Sequence, residues 1–251
     1  MLALITGASS GIGRDMARIL AEKGYDLILV ARRKEKLDKL AKELDTKVTT
    51  IKLDLSIEEN SFKLYDKLKN KDIDIVINNA GFGLFGFFHE TDLNTELKMI
   101  DLNVKTYHIL TKLFLQDFII KDKGYILNVC SSAGFMAGPR LSTYYATKNY
   151  ITKLTMAINE ELRKIRSNVQ VSALCPGPVA TEFNKVAHGT FNIKEANSYD
   201  VAEYAIKKMF KRKMLIVPTL RMKLTLFFNR FAPHRLSLMI AYKIQERKSK
   251  V

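Results

Sequence analysis

Seven short apolar runs, widely spaced along the chain, constrain its fold more than any other feature. They are Leu2–Ile5, Leu27–Val30, Val48–Lys52, Ile73–Ile77, Tyr125–Val129, Val169–Leu174 and Leu215–Val217. Runs that stay apolar, instead of alternating with polar residues, suit strands covered on both faces. The stretches between them carry apolar residues at helical spacing, as at Met16, Ile19 and Leu20 or at Leu37, Leu40, Ala41 and Leu44. Strand then helix, repeated, is the order of an α/β domain in which helices cover both faces of a parallel sheet. The 251 residues, 47% of them apolar, suffice for one large core, and no internal repeat or Pro/Gly/Ser linker divides them. One doubly wound catalytic domain is expected over residues 1–218, with a helical extension over 219–251 packed on or beside it.

Charge separates those two parts. Residues 207–251 hold 13 of the 41 basic residues and a single acid, Glu246, so this end alone accounts for +12 of the net +15. The rest of the chain is nearly neutral. Two cysteines, Cys130 and Cys175, are too few for a disulfide scaffold, and each lies in an apolar run, which fits buried thiols in a reducing compartment. The first residues lack a basic segment and a signal-length apolar core. No window approaches the roughly 20 apolar residues that cross a bilayer. A cytoplasmic protein, peripheral to membranes at most, is the expectation. Four histidines without ligand spacing give no case for a metal.

The turn Gly7-Ala8-Ser9-Ser10-Gly11-Ile12-Gly13 follows the first strand and opens the first helix. Glycines there let the backbone turn sharply and let a pyrophosphate lie against the amides of a helix N-terminus. The spacing is G-x-x-x-G-x-G, and its place in the first βα unit points to a Rossmann-type dinucleotide site. At the end of the second strand, where a carboxylate would accept hydrogen bonds from the ribose hydroxyls of NAD, the chain has Ala31-Arg32-Arg33-Lys34. Guanidinium groups that fork onto a phosphate favour NADP.

Tyr144 and Lys148 lie at i and i+4, on one face of a helix. A phenol with its ordinary pKa near 10 is a poor acid–base catalyst at neutral pH, and a neighbouring ammonium should lower it. Bringing it to neutrality corresponds to roughly 4 kcal/mol, within the reach of a close, partly desolvated cation. A phenol so tuned can protonate a carbonyl oxygen as hydride arrives. Tyr145 has only Asn149 four places on, and no charge.

These elements occur in one order: the turn Thr6–Gly13, Asn78-Asn79-Ala80-Gly81, Asn103, Ser131, Tyr144 with Lys148, and Pro176-Gly177-Pro178-Val179-Ala180-Thr181. In that order they resemble the short-chain dehydrogenase/reductase family, from the first residues to about residue 206. The resemblance implies a role for each. Gly7, Ser9, Ser10, Gly11, Ile12 and Gly13 would hold the phosphates, with Arg32 and Arg33 on the adenosine phosphate. Asp54, with Leu55 beside it, would bind the adenine, and Asn79, Ala80 and Gly81 would flank the cofactor at the central sheet. Ser131, thirteen residues before Tyr144, would polarise the carbonyl, and Ser132 is one short of that spacing. Asn103 would hold a water in a proton relay through Lys148, which would also bond the nicotinamide ribose. Pro176, Gly177, Val179 and Thr181 would cradle the nicotinamide. The family usually has a small residue where Tyr145 stands, so Tyr145 is expected to face away from the site. A homodimer or homotetramer through the helices carrying Asn103 and Tyr144 is also implied.

The substrate end is less defined. Leu84, Phe85, Phe87, Phe88 and His89 follow the Asn-Asn-Ala-Gly turn, and Phe135 and Met136 follow Ser131. Phe183, His188, Gly189, Phe191 and Ile193 lie where the family closes a loop over its substrate. Together they suggest apolar walls. In the tail, Thr219–Phe231 and Arg235–Arg247 read as amphipathic helices around Pro233, with apolar sets Leu220, Leu224, Phe227, Phe231 and Leu236, Met239, Ile240. Their apolar faces suit packing on the domain, a twin subunit or an anionic membrane surface. Nucleic acid is disfavoured, since the patch has no recognised reading module. The expected function is NADP-dependent interconversion of an apolar ketone or aldehyde and its alcohol. The alternatives are a catalytically idle dinucleotide sensor, whose signature of a broken serine, tyrosine or lysine is missing, and a membrane-surface binding protein.

Overall fold

The computed structural model describes residues 1–183 and 195–246. The strands are β1 (Leu2–Thr6), β2 (Asp26–Ala31), β3 (Val48–Lys52), β4 (Ile75–Asn78), β5 (Gly124–Val129), β6 (Val169–Leu174) and β7 (Leu215–Ile216). The helices are α1 (Gly11–Glu22), α2 (Lys34–Lys42), α3 (Glu58–Leu68), α4 (Leu93–Ile100), α5 (Thr106–Lys121), α6 (Ser142–Lys164), α7 (Ser198–Phe210), α8 (Leu220–Asn229) and α9 (His234–Glu246). A π-helical turn, Asp101–Lys105, joins α4 to α5, and a 3-10 turn, Ser132–Phe135, follows β5. All strand pairs are parallel, in the order β3-β2-β1-β4-β5-β6-β7.

Successive side chains of the central strands pack on opposite faces of the sheet. Ala3 and Ile5 of β1, with Leu27 and Leu29 of β2, pack against Met16, Ile19 and Leu20 of α1 and Ala205 and Ile206 of α7. Leu4, Ile28 and Val30 face the other way, onto Leu64 of α3 and Leu110 and Phe114 of α5. Both faces of the central strands are therefore buried, as continuous apolar runs require. The edge strand β3 departs from this: its residues are only half-buried or exposed. An edge strand has a neighbour on one side only, and its threonines and lysine suit that place.

A chain of amides and hydroxyls threads the middle of the molecule. Asn78 Nδ2 donates to Thr111 Oγ1 at 3.1 Å and to Asn128 Oδ1 at 2.9 Å. Thr111 Oγ1 donates to Asn128 Oδ1 at 3.2 Å, and Asn128 Nδ2 donates to Thr155 Oγ1 at 2.9 Å. The chain joins β4, α5, β5 and α6, the elements that lead into the turns bearing the candidate site. Sheet order reverses between β1 and β4, and at such a switch point the loops leaving neighbouring strands diverge and open a crevice.

Candidate active site

A cleft of about 400 Å³ lies there, walled by the turns after β1, β2, β3, β4, β5 and β6. At its floor, β1 and β4 are locked by Asn79. Its Nδ2 donates to the carbonyls of Thr6 (3.0 Å) and Gly7 (3.1 Å), while Thr6 Oγ1 accepts from the amides of Asn79 (2.9 Å) and Ala80 (3.2 Å). Gly7 has φ +67°, and a Cβ there would sit 2.8 Å from Ala80 Cα. At Gly13 a Cβ would lie 2.4 Å from Asn79 Nδ2. These two glycines are required by conformation and by close approach respectively. Gly13 therefore packs the turn from behind and does not line the cleft.

The opening of α1 fits a pyrophosphate. Ser10 is its N-cap residue, the Ser10 side chain makes no capping hydrogen bond, and the first turn holds no acid. Gly7, Ser9, Ser10, Gly11 and Ile12 all line the cleft, which brings the unpaired amides of a helix N-terminus to it. Asp54 and Leu55 line the cleft with Leu53 at the end of β3, and Asp54 Oδ1 accepts from the amide (3.0 Å) and hydroxyl (2.8 Å) of Ser56.

Arg32 and Arg33 both reach this end of the cleft. Arg33 Nη2 donates to Ser9 Oγ (3.0 Å) and Ser10 Oγ (2.9 Å), and its Nη1 donates to Glu182 Oε2 at 2.6 Å. Lys36 Nζ holds the other oxygen of Glu182 at 2.7 Å. Lys36 and Arg33 together pull the Glu182 carboxyl down to about 2. Glu182 and Lys36 carried no signal in the sequence. Their meeting depends on a 146-residue separation closed by the fold.

Tyr144 and Lys148 share the inner face of α6, one turn apart, as the spacing predicts. Ser131, two residues past β5, caps the 3-10 turn by accepting from the Ala133 amide at 3.1 Å, and it lines the cleft together with Tyr144. Lys148 is buried beneath them. Its Nζ donates to the Val129 carbonyl at 2.9 Å and lies 5.9 Å from the centre of the Tyr144 ring. The expected lowering of the phenol's pKa is not what this arrangement produces. Burial pushes the Tyr144 phenol well above its ordinary value, against the smaller opposing pull of Ser131. Burial also pushes the Lys148 ammonium down to about 8. Burial disfavours the charged form of each group, so the phenol is pushed up and the ammonium down.

Asn103 lies in the π-helical turn and is fully buried. Its Nδ2 donates to the Phe82 carbonyl (2.9 Å) and to Thr147 Oγ1 (3.2 Å), and its Oδ1 accepts from the Phe82 amide (3.2 Å). Thr147 Oγ1 in turn donates to the Tyr144 carbonyl at 2.7 Å. The side chain thus braces the turn of α6 that bears Tyr144, and it does not line the cleft. Gly81 separates Asn103 from Lys148: a Cβ on it would lie 2.9 Å from Asn103 Oδ1 and 3.5 Å from Lys148 Nζ.

On the substrate side several expectations change. Tyr145 lines the cleft and does not face away. Its ring lies over Gly138, where a Cβ would come within 2.4 Å, and its hydroxyl accepts from Gln245 Nε2 at 2.9 Å. The absence of a side chain at Gly138 makes room for the large residue that the resemblance did not anticipate. Leu84, Phe85, Phe87, Phe88, His89, Phe135 and Met136 do not line the cleft. Arg140 instead lies against Phe87, 4.3 Å from its ring centre, and holds that loop aside. Phe82, Leu141, Tyr145 and Phe183 form the apolar wall, with Phe183 5.2 Å from the Tyr144 ring. Pro176, Gly177, Val179 and Thr181, which follow β6, line the cleft, joined by Pro178 and Ser132. His188, Gly189, Phe191 and Ile193 lie outside the described residues. Among the described residues no cluster of metal-ligating side chains occurs. Nor, among the described residues, is any helix long and apolar enough to cross a membrane.

A profile of the short chain dehydrogenase family matches residues 1–190. In sequence, the human very-long-chain 3-oxoacyl-CoA reductase is 31% identical over 198 residues, covering 76% of this chain and 63% of that protein. The chain thus spans less than two thirds of that relative's length. An uncharacterized oxidoreductase of Staphylococcus saprophyticus is 32% identical over 211 residues, 82% of this chain and 89% of that one. Among solved structures, a short-chain dehydrogenase from Sphingobium yanoikuyae in complex with NADPH superimposes with a TM-score of 0.84 at 29% identity, over 94% of each chain. With the profile covering three quarters of the chain and the parallel sheet, glycine turn and Ser131–Tyr144–Lys148 cluster in place, the chain belongs to the short-chain dehydrogenase/reductase family.

Proposed function

We propose that the protein is an NADP-dependent oxidoreductase that reduces a ketone or aldehyde on an apolar molecule to the alcohol. The observation that carries this reading is the convergence of Ser131, Tyr144 and Lys148 on one cleft, with Lys148 Nζ 5.9 Å from the Tyr144 ring centre and an apolar wall beside them. The bound nicotinamide would supply the hydride. Ser131 orients the carbonyl oxygen, and Tyr144 donates the proton that this oxygen takes up. Burial keeps the Tyr144 phenol protonated at neutral pH, the form from which a proton can pass to the carbonyl oxygen. Lys148 steadies the phenolate left behind and holds the nicotinamide ribose, and Asn103 positions α6 for both.

Arg33, Arg32 and Lys36 supply the positive charge that a 2′-phosphate needs. The dehydrogenase of Sphingobium yanoikuyae was solved with NADPH, and the human relative acts on 3-oxoacyl-CoA. An acyl ketone is therefore the first substrate class to test here. The resemblance further supports a homodimer or homotetramer. An apolar groove lined by Ile100 at the end of α4, Val104 in the turn that holds Asn103, and Ala146 and Tyr150 of α6, which carries Tyr144, suits a second copy.

The test is NADPH consumption, followed by absorbance, across 3-oxoacyl thioesters of rising chain length, bulky ketones and aldehydes, with NADH in parallel. NADPH-dependent turnover that rises with chain length supports the reading. Tight NADPH binding without turnover in either direction would favour an idle sensor. Equal use of both cofactors would remove the NADP assignment alone.

A further inference from the structure

Helix α8 has no buried residue. Leu220, Leu224, Phe227 and Phe228 on it, and Phe231 just beyond it, are all at least half exposed, Leu220 at 71% and Phe231 at 73%. Met239 and Ile240 extend the apolar surface onto α9. A soluble monomer rarely leaves an apolar patch of this kind open to water. The two helices touch the body at Met222, Lys223, Tyr242 and Gln245, and Lys223 Nζ donates to the Tyr204 hydroxyl at 3.1 Å. Met222 lies against Gly177, where a Cβ would come within 2.6 Å of its Cε, and Gln245 bonds Tyr145.

Cations rim this patch. Arg221, Lys223, Arg230, Arg235 and Lys243 lie within the two helices and their junction. Lys223 and Lys208 both flank the Tyr204 ring, 5.6 and 5.2 Å from its centre, which brings the basic end of α7 to the same side. Two copies meeting through this face would bring like charges together as they lost water, at a cost. An anionic lipid surface offers the opposite charge and an apolar interior at the depth such side chains reach.

We infer that α8 and α9 form a docking face for an anionic membrane surface, with the aromatic side chains entering the acyl boundary and the basic rim meeting lipid phosphates. Both helices border the cleft, through Gly177 and Tyr145. Docking therefore sets the cleft's apolar mouth beside the bilayer. Only that last consequence rests on the carbonyl-reduction reading; the docking itself does not.

The experiment is co-sedimentation of the full chain with sonicated vesicles of phosphatidylcholine alone or with roughly a third phosphatidylserine, at about 0.1 M and about 0.5 M NaCl. Two variants accompany it: Phe227→Ser/Phe228→Ser/Phe231→Ser, and Arg221→Gln/Arg230→Gln/Arg235→Gln. Thermal melting of each variant checks that it folds. Binding is expected to anionic vesicles, falling with salt and at least about tenfold weaker in either variant, since each cation contributes on the order of fivefold. Three outcomes would overturn the inference. One is wild-type protein left in the supernatant with both vesicle types. Another is equal binding to neutral vesicles, untouched by the arginine changes. The third is a dimer in light scattering that the phenylalanine variant abolishes while vesicle binding persists, since the face would then belong to a second copy.

Discussion

Tyr144 and Lys148 show how far residue types alone foretell chemistry. Their spacing put them on one helical face, but the direction of both pKa shifts follows from burial, which a sequence does not display. Replacing Tyr144 with Phe removes the proton donor and leaves the ring in place. Turnover is expected to fall about 10²- to 10⁴-fold with NADPH affinity unchanged, read by steady-state kinetics beside fluorescence titration. Lys148 is charged below about 8 and neutral above it. If the ammonium is the working form, kcat/KM for reduction should hold at neutral pH and decline as pH rises through that value. A rate that climbs through the same range would contradict the role. Glu182 makes a third case. It occupies both Arg33 and Lys36, the cations proposed to meet the phosphate of NADP, so Glu182→Gln should tighten NADPH several-fold and leave NADH unchanged. Arg33→Ala should weaken NADPH by about ten- to hundredfold, the usual loss for a hydrogen bond to a charged group.

At the scale of elements, the pattern of apolar runs was enough to read the strands, because a strand covered on both faces leaves a continuous apolar signature. Val48–Lys52 and Val169–Leu174 coincide with β3 and β6, while β4 begins at Ile75, two residues into its apolar run. Ile73 is buried but its amide bonds Lys71, which keeps it out of the sheet. The site elements that stayed hidden are those made by long-range closure: the Glu182 ion pairs, the ring of Tyr145 on Gly138, and the π-helical turn that turns Asn103 onto Phe82 and Thr147. None has a local signature. Two substitutions test the interior these elements share. Gly13→Ala would drive a methyl into Asn79 Nδ2, and a loss of about 1–3 kcal/mol is expected, several degrees in Tm. Asn128→Ala strips partners from Asn78, Thr111 and Thr155 at once and is expected to cost about 2–4 kcal/mol in denaturant unfolding.

Over the whole molecule, a nearly neutral catalytic body carries a strongly basic end, and the structure sets part of that end beside the cleft through Met222 and Gln245. The charge asymmetry was plain in the sequence. That the apolar faces of α8 and α9 point outward was not, since an amphipathic pattern has the same form whether its partner is the domain or something else. Arg247, Lys248 and Lys250 lie outside the described residues. The central claim, that this cleft passes hydride to a carbonyl while Tyr144 protonates it, is tested most directly by isotope transfer. NADPH carrying deuterium at the transferable nicotinamide position is incubated with a long-chain 3-oxoacyl thioester, and the alcohol is analysed by mass spectrometry and NMR. The expected result is deuterium on the new carbinol carbon with the wild-type protein and essentially none with Tyr144→Phe. Alcohol formed without the label, or label transferred equally well by Tyr144→Phe, would contradict it.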